Sequence, residues 1–123
     1  MRKKILKTTR KLHALEARRA RLIRALTRTV PLIVGSLSLV QRTCGKSTCH
    51  CATKPGHAVW TLATTRDGRR RCQVIRIDDV EQARERVTAY KSYRQRLGEL
   101  QAIENEEKEI LRGLMENRNV PYE

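Results

Sequence analysis

The chain has 123 residues, a formal net charge of +14 and a pI of about 10.5, with one Trp, three Tyr and no Phe. That length suits one domain with a modest core, and a core this poor in large side chains needs a metal, disulfides or a partner chain to reinforce it. The charge points to a polyanion, nucleic acid ahead of an anionic membrane, while so few aromatics argue against a platform that stacks unpaired bases.

Positive charge is concentrated early. Residues 1–30 hold eleven Lys or Arg and one acid, residues 31–76 eight and one, and residues 77–123 eight and eleven. The start, Met-Arg-Lys-Lys-Ile-Leu-Lys, is basic with no apolar run behind it, so no secretory signal is expected and the location expected is cytoplasmic. The longest apolar stretch, Val30 to Val40, is about half a bilayer span and contains Pro, Gly and Ser, so no membrane segment is expected. In a reducing compartment a cysteine cluster favours a metal over disulfides.

Residues 2–28 read as a helix. Ile5, Leu12, Leu15, Leu22 and Leu26 form an apolar stripe, interrupted by Arg19, whose aliphatic stem can cover apolar surface. Pro31 closes it, because the residue before a proline avoids helical backbone.

Residues 34–77 read as a small β unit. Leu37 and Leu39 alternate with Ser36 and Ser38, as in a half-buried strand. Later, Val59 to Thr65 and Cys72 to Ile77 flank Asp67-Gly68, a strong signal for a type I′ hairpin. With those two as the turn, Trp60 falls opposite Ile75, Ala58 opposite Ile77 and Ala63 opposite Cys72. One face then carries Trp60, Leu62, Ile75 and Ile77 toward Leu37 and Leu39.

Residues 79–116 read as a long helix, with Asp78 or Asp79 and Glu81 favourable at its start. Its stripe is Val80, Ala83, Val87, Tyr90, Leu97, Leu100, Ile103, Ile110 and Leu114. At 1.5 Å per residue it runs to roughly 55 Å, so it needs another helix to cover it, and the first is the obvious one. The expected fold is α+β: two long helices in an antiparallel coiled-coil-like hairpin, flanking a three-stranded antiparallel β unit with a zinc loop. Residues 1–123 form one domain in this reading: basic helix 1–30, zinc-binding β unit 34–77, long helix 79–116 and tail 117–123. In that hairpin Arg2, Lys3, Lys4, Lys7, Arg10 and Lys11 face Glu104, Glu106, Glu107, Glu109 and Glu116. Uncompensated charge is then left at the zinc-and-hairpin end.

The loop between the first two strands reads Cys44-Gly-Lys-Ser-Thr-Cys49-His50-Cys51-Ala-Thr-Lys-Pro-Gly-His57. Zinc takes four tetrahedral sulfur or imidazole ligands, and three thiols in eight residues followed by an imidazole supply them. Gly45 and Pro55-Gly56 let the chain wrap a point. Cys44, Cys49 and Cys51 are the expected ligands of one structural Zn2+, with His57 as the fourth and Cys72 in reserve. His50, between two ligands, is expected to point away. No isolated thiol sits beside an orienting base, so a catalytic cysteine is not expected.

The stretch Cys44-Gly45-Lys46…Cys49-x-Cys51…His57-x-x-Trp60, followed by an Arg-rich hairpin and a helix, resembles an uncharacterised family of small bacterial domains. These share a C-G-K-x-x-C-x-C core, then a His and an aromatic. The resemblance covers roughly residues 34–100. It departs after His57, where Ala58-Val59 stands in place of the family's frequent Gly-Pro. It implies a metal site and a gene setting near mobile elements or phage.

The basic side chains expected to touch nucleic acid are Arg18, Arg21, Arg24, Arg28, Arg42, Lys46, Lys54, Arg66, Arg69, Arg70 and Arg71. Arginine dominates, and its guanidinium fork matches two phosphate oxygens. The expected function is non-catalytic: a zinc-stabilised protein contacting the phosphate backbone of duplex DNA or structured RNA. The alternative is an adapter, with the long helices forming a homodimer or gripping a partner protein and the basic end docking an acidic one. An enzyme such as a nuclease fits poorly, because Glu16 and Asp67 are the only acids of the basic part and hydrolytic metals want carboxylates and an open position.

Overall fold

The computed structural model describes residues 2–43, 45–52 and 56–122, without the side chain of Cys51. Helix α1 spans Arg2–Leu26, strands β1, β2 and β3 span Gly35–Arg42, His57–Arg66 and Arg69–Ile75, and helix α2 spans Val80–Arg118. Short 3-10 turns lie at His50–Ala52 and Ile77–Asp79. The architecture is α+β, as expected. The chain groups into two compact units, residues 30–92 and residues 1–29 with 93–123. The 39 residues of α2 run about 58 Å, more than one small core can cover, and contribute to both.

In the first unit the sheet is antiparallel in the order β1-β2-β3. Trp60 pairs with Leu39 on one side and Ile75 on the other, and Leu62 pairs with Leu37 and Gln73. Side chains alternate along a strand, so Leu37, Leu39, Trp60, Leu62 and Ile75 share the expected face. Leu62 is buried there, as are Val80, Ala83 and Val87 on the opening turns of α2. Their spacing of three and four residues puts them on one side of that helix. The Arg84 guanidinium lies 5.3 Å from the Trp60 ring centroid and its Nη1 donates to Glu81 Oε1 at 2.7 Å. Such a cation–π contact contributes on the order of 0.5–1 kcal/mol and commits the one Trp to structure. The Ile33 N–H donates to the Arg86 carbonyl at 3.1 Å, tying the segment before β1 to α2.

Ile77 departs from expectation. Strand β3 ends at Ile75, and Ile77 opens the 3-10 turn, 79% exposed, because the chain must leave the sheet and enter α2 within four residues.

In the second unit Leu15 and Ile103 are buried, the latter to 1% exposure. Leu12, Leu22, Leu26, Leu100, Ile110 and Leu114 are half-buried, whereas Ile5 and Leu97 lie on the rim of their stripes and are exposed. Two ion pairs join α1 to α2: Lys11 with Glu106 and Arg19 with Glu104, each at 3.7 Å. The wholesale neutralisation expected of the first helix does not occur. Of Arg2, Lys3, Lys4, Lys7, Arg10 and Lys11, only Lys11 has an acidic partner among the described residues, and Glu109 pairs with Arg112 on its own helix. At about 100° per residue, Lys3, Lys7 and Arg10 stand well round the helix from Leu15 and cannot reach across.

Candidate metal loop and basic hairpin

Strand β2 connects the two features the sequence marks out, and it separates them. Its His57 end carries the cysteine loop and its Arg66 end carries the hairpin, about 30 Å away at 3.3 Å per residue. The sequence expectation of one zinc-and-hairpin end therefore gives way to two opposite ends of a sheet.

At the loop end, pairing of β1 with β2 continues to the last rung, Arg42 with His57. Gly56 passes so close to β1 that a Cβ there would collide with the Arg42 carbonyl, so glycine is required for the loop to close. Inside the loop, Gly45 adopts φ +83°. The Cys49 N–H donates to the Lys46 carbonyl and the Ala52 N–H to the Cys49 carbonyl, both at 3.1 Å. These turns carry Cys49 back toward the strand, where its Sγ lies 3.2 Å from His57 Nε2.

That spacing is informative. A thiolate 2.3 Å and an imidazole about 2.05 Å from one tetrahedral zinc are about 3.6 Å apart. The Cys49–His57 pair is within about half an ångström of that edge. His50 joins them: its Nδ1 lies 3.8 Å from Cys49 Sγ, and its ring stands edge-on to His57 with centroids 5.1 Å apart. The expectation that His50 points away is therefore corrected; the 3-10 turn beginning at His50 rotates it onto the same side as Cys49. Cys44, the Cys51 side chain and Lys54 lie outside the described residues. Among the described residues alone, no group of three or more His, Cys, Asp or Glu is arranged to hold a metal.

Cys72 sits elsewhere. It is exposed and pairs with Ala63, six residues along β2 from His57, so about 20 Å separates it from the loop end. One ion cannot bind both Cys49 and Cys72, which removes the reserve ligand.

At the other end, Asp67 (φ +52°) and Gly68 (φ +75°) form the two-residue turn, with positive φ at both positions as type I′ demands. Arg66 pairs directly with Arg69, Arg70 with Thr65 and Arg71 with Thr64. All four arginines are exposed, and among the described residues none has an ion-pair partner. Like charges facing each other across a ladder cost stability, so the Arg66–Arg69 rung is a liability without a ligand to share the charge. Of the other expected contact residues, Arg42 and Lys46 are exposed at the loop end of the sheet, and Arg18, Arg21, Arg24 and Arg28 are exposed on or just after α1.

The chain belongs to the family defined by a domain of unknown function (DUF6788), whose model matches residues 12–85. The match covers the loop, the whole sheet and the second half of α1, so the family reaches further toward the start of the chain than the cysteine motif alone indicates. No curated protein and no solved structure matches the chain. No helix is long and apolar enough to cross a membrane among the described residues.

Proposed function

We propose that this chain is a non-catalytic, zinc-stabilised protein that binds the phosphate backbone of duplex DNA or structured RNA. Cys44, Cys49, Cys51 and His57 hold one Zn2+, with His50 beside them, and the ion closes the loop at the His57 end of the sheet. The observation that carries the metal is the 3.2 Å approach of Cys49 Sγ to His57 Nε2 at a loop whose ends are pinned together by Gly56 and Arg42. The ion supplies a crosslink where the core is thin. Arg66, Arg69, Arg70 and Arg71 supply the nucleic-acid contact, supported by their exposure and their lack of carboxylate partners among the described residues.

A two-stranded ribbon of this kind fits a major groove or the phosphates beside it. A cavity of about 380 Å3 beside the hairpin is lined by Leu32, Ile33, Val34, Thr64, Thr65 and Arg66. The gene setting implied by the family resemblance makes the role that of an accessory or regulatory factor of a mobile element or phage.

Purified protein tests both halves. The expectation is one zinc per chain by elemental analysis, and duplex binding that weakens steeply with salt. Protein without zinc that ignores duplex at 50 mM salt overturns the proposal.

A second reading has its own support. Leu111 and Met115, one turn apart near the end of α2, are 53% and 63% exposed, an apolar pair that a partner helix or a second copy would cover. A dimer in sedimentation that Leu111→Glu dissociates would establish it.

A further inference from the structure

The first helix carries a charged surface of its own. Taking Leu15, which is buried, as the inward direction, Lys3, Lys7, Arg10, Ala14, Ala17, Arg21 and Arg24 follow one another at alternating steps of four and three residues. They occupy a sector about 100° wide on the outer side, and Arg18 lies at its edge. All six cations are exposed, and none has an acidic partner among the described residues. The sole acid of α1, Glu16, points the other way and pairs with His13 at 3.7 Å.

The cations fall into two groups, Lys3, Lys7 and Arg10 and then Arg18, Arg21 and Arg24, with centres about 20 Å apart along the axis. Between them Ala14 and Ala17 leave the helix surface low.

Resting on the nucleic-acid reading above, we infer that α1 is a second contact surface, which straddles a groove of a duplex and places one cation group on each phosphate strand. The major groove is about 12 Å wide, and the phosphates along its two edges stand on the order of 20 Å apart once their own size is added. The alanines permit close approach midway, and the long Lys and Arg side chains reach the strands at either end. A single strand offers no second ridge at that distance. A helix lying on a membrane needs an extended apolar face beside its cations, whereas here Leu6, 56% exposed, is the one large apolar side chain in the sector, alanines fill its middle and Leu15 is buried inside the protein.

The test uses the full chain, a 30-base-pair DNA duplex, the matching RNA duplex, a single strand of equal length and vesicles of mixed neutral and anionic phospholipid. The variant K3Q/K7Q/R10Q is compared with R69Q/R70Q/R71Q, each checked for an unchanged thermal midpoint. If the first triplet fails that check, K3Q/K7Q and R10Q are measured separately. Losing three phosphate contacts lowers the slope of log affinity against log salt by about 2.7, which is about 100-fold in affinity at 0.15 M salt. That loss is expected for K3Q/K7Q/R10Q on a duplex. An unaltered duplex affinity in that variant, with R69Q/R70Q/R71Q impaired, overturns the α1 surface and leaves the hairpin reading standing. Equal affinity of the parent for single strand and duplex overturns the straddling geometry. A parent that binds vesicles and no nucleic acid overturns both readings.

Discussion

The two connections that join neighbouring strands of the sheet solve the same problem by opposite means. The β2–β3 turn needs only two residues, and backbone geometry closes it: Asp67 and Gly68 take positive φ and the strands meet. The β1–β2 connection, residues 43–56, is long enough that closure costs entropy, and its glycines cannot supply the whole return. There the side chains do the closing, with Cys49 brought to His57 and Gly56 making room against Arg42. On the zinc reading proposed above, the short loop is set by φ and the long one by a metal crosslink. That contrast explains why the loop concentrates thiols and imidazoles while the turn is free to display charge.

The comparison can be broken experimentally. The largest effect is expected from His57→Ala, or from a strong chelator. Either should remove the zinc and lower the unfolding midpoint by about 20 °C, because structural metal binding is folding free energy. Calorimetry with parallel elemental analysis checks it, and an unchanged midpoint would mean the loop closes without the ion. Next is Leu62→Ala, which empties the buried centre of the strand shared by both ends and should cost about 3 kcal/mol in denaturant unfolding. Gly68→Ala should cost about 1–2 kcal/mol, since alanine pays for the left-handed backbone, and should leave zinc content untouched. Loss of zinc in that variant would show that the two ends are coupled. The smallest effect runs the other way: Arg69→Thr should stabilise by up to about 0.5 kcal/mol by relieving the Arg66 rung, while weakening duplex binding.

Much of this architecture is readable from residue order. Asp67-Gly68 fixes the hairpin register to the residue, so Trp60 opposite Ile75 and Ala63 opposite Cys72 follow from counting. Val80, Ala83 and Val87 declare their helix face by spacing. What escapes is what depends on distance along an element rather than pattern. Cys72 is close in sequence to the hairpin and looks available to the metal, yet six residues of extended strand put it out of range. The separation of loop and hairpin escapes for the same reason. His50 escapes because its direction depends on a single 3-10 turn, and the pairing of the first helix because Lys3, Lys7 and Arg10 face away from the stripe that packs. Ile77 fails where a strand must hand over to a helix, and nothing in its apolar character signals that the ladder stops at Ile75.

The Arg66–Arg69 rung also governs how the molecule should respond to its medium. Most proteins carry surface ion pairs that simple salt weakens. Here facing guanidiniums and a surplus of +14 mean that the dominant exposed electrostatics are repulsive, so ions that screen them should firm the fold. The same ions compete for any polyanion. Ionic strength thus pulls stability and the proposed binding in opposite directions, and the free protein should be at its softest in the dilute buffers where a polyanion would be held most tightly.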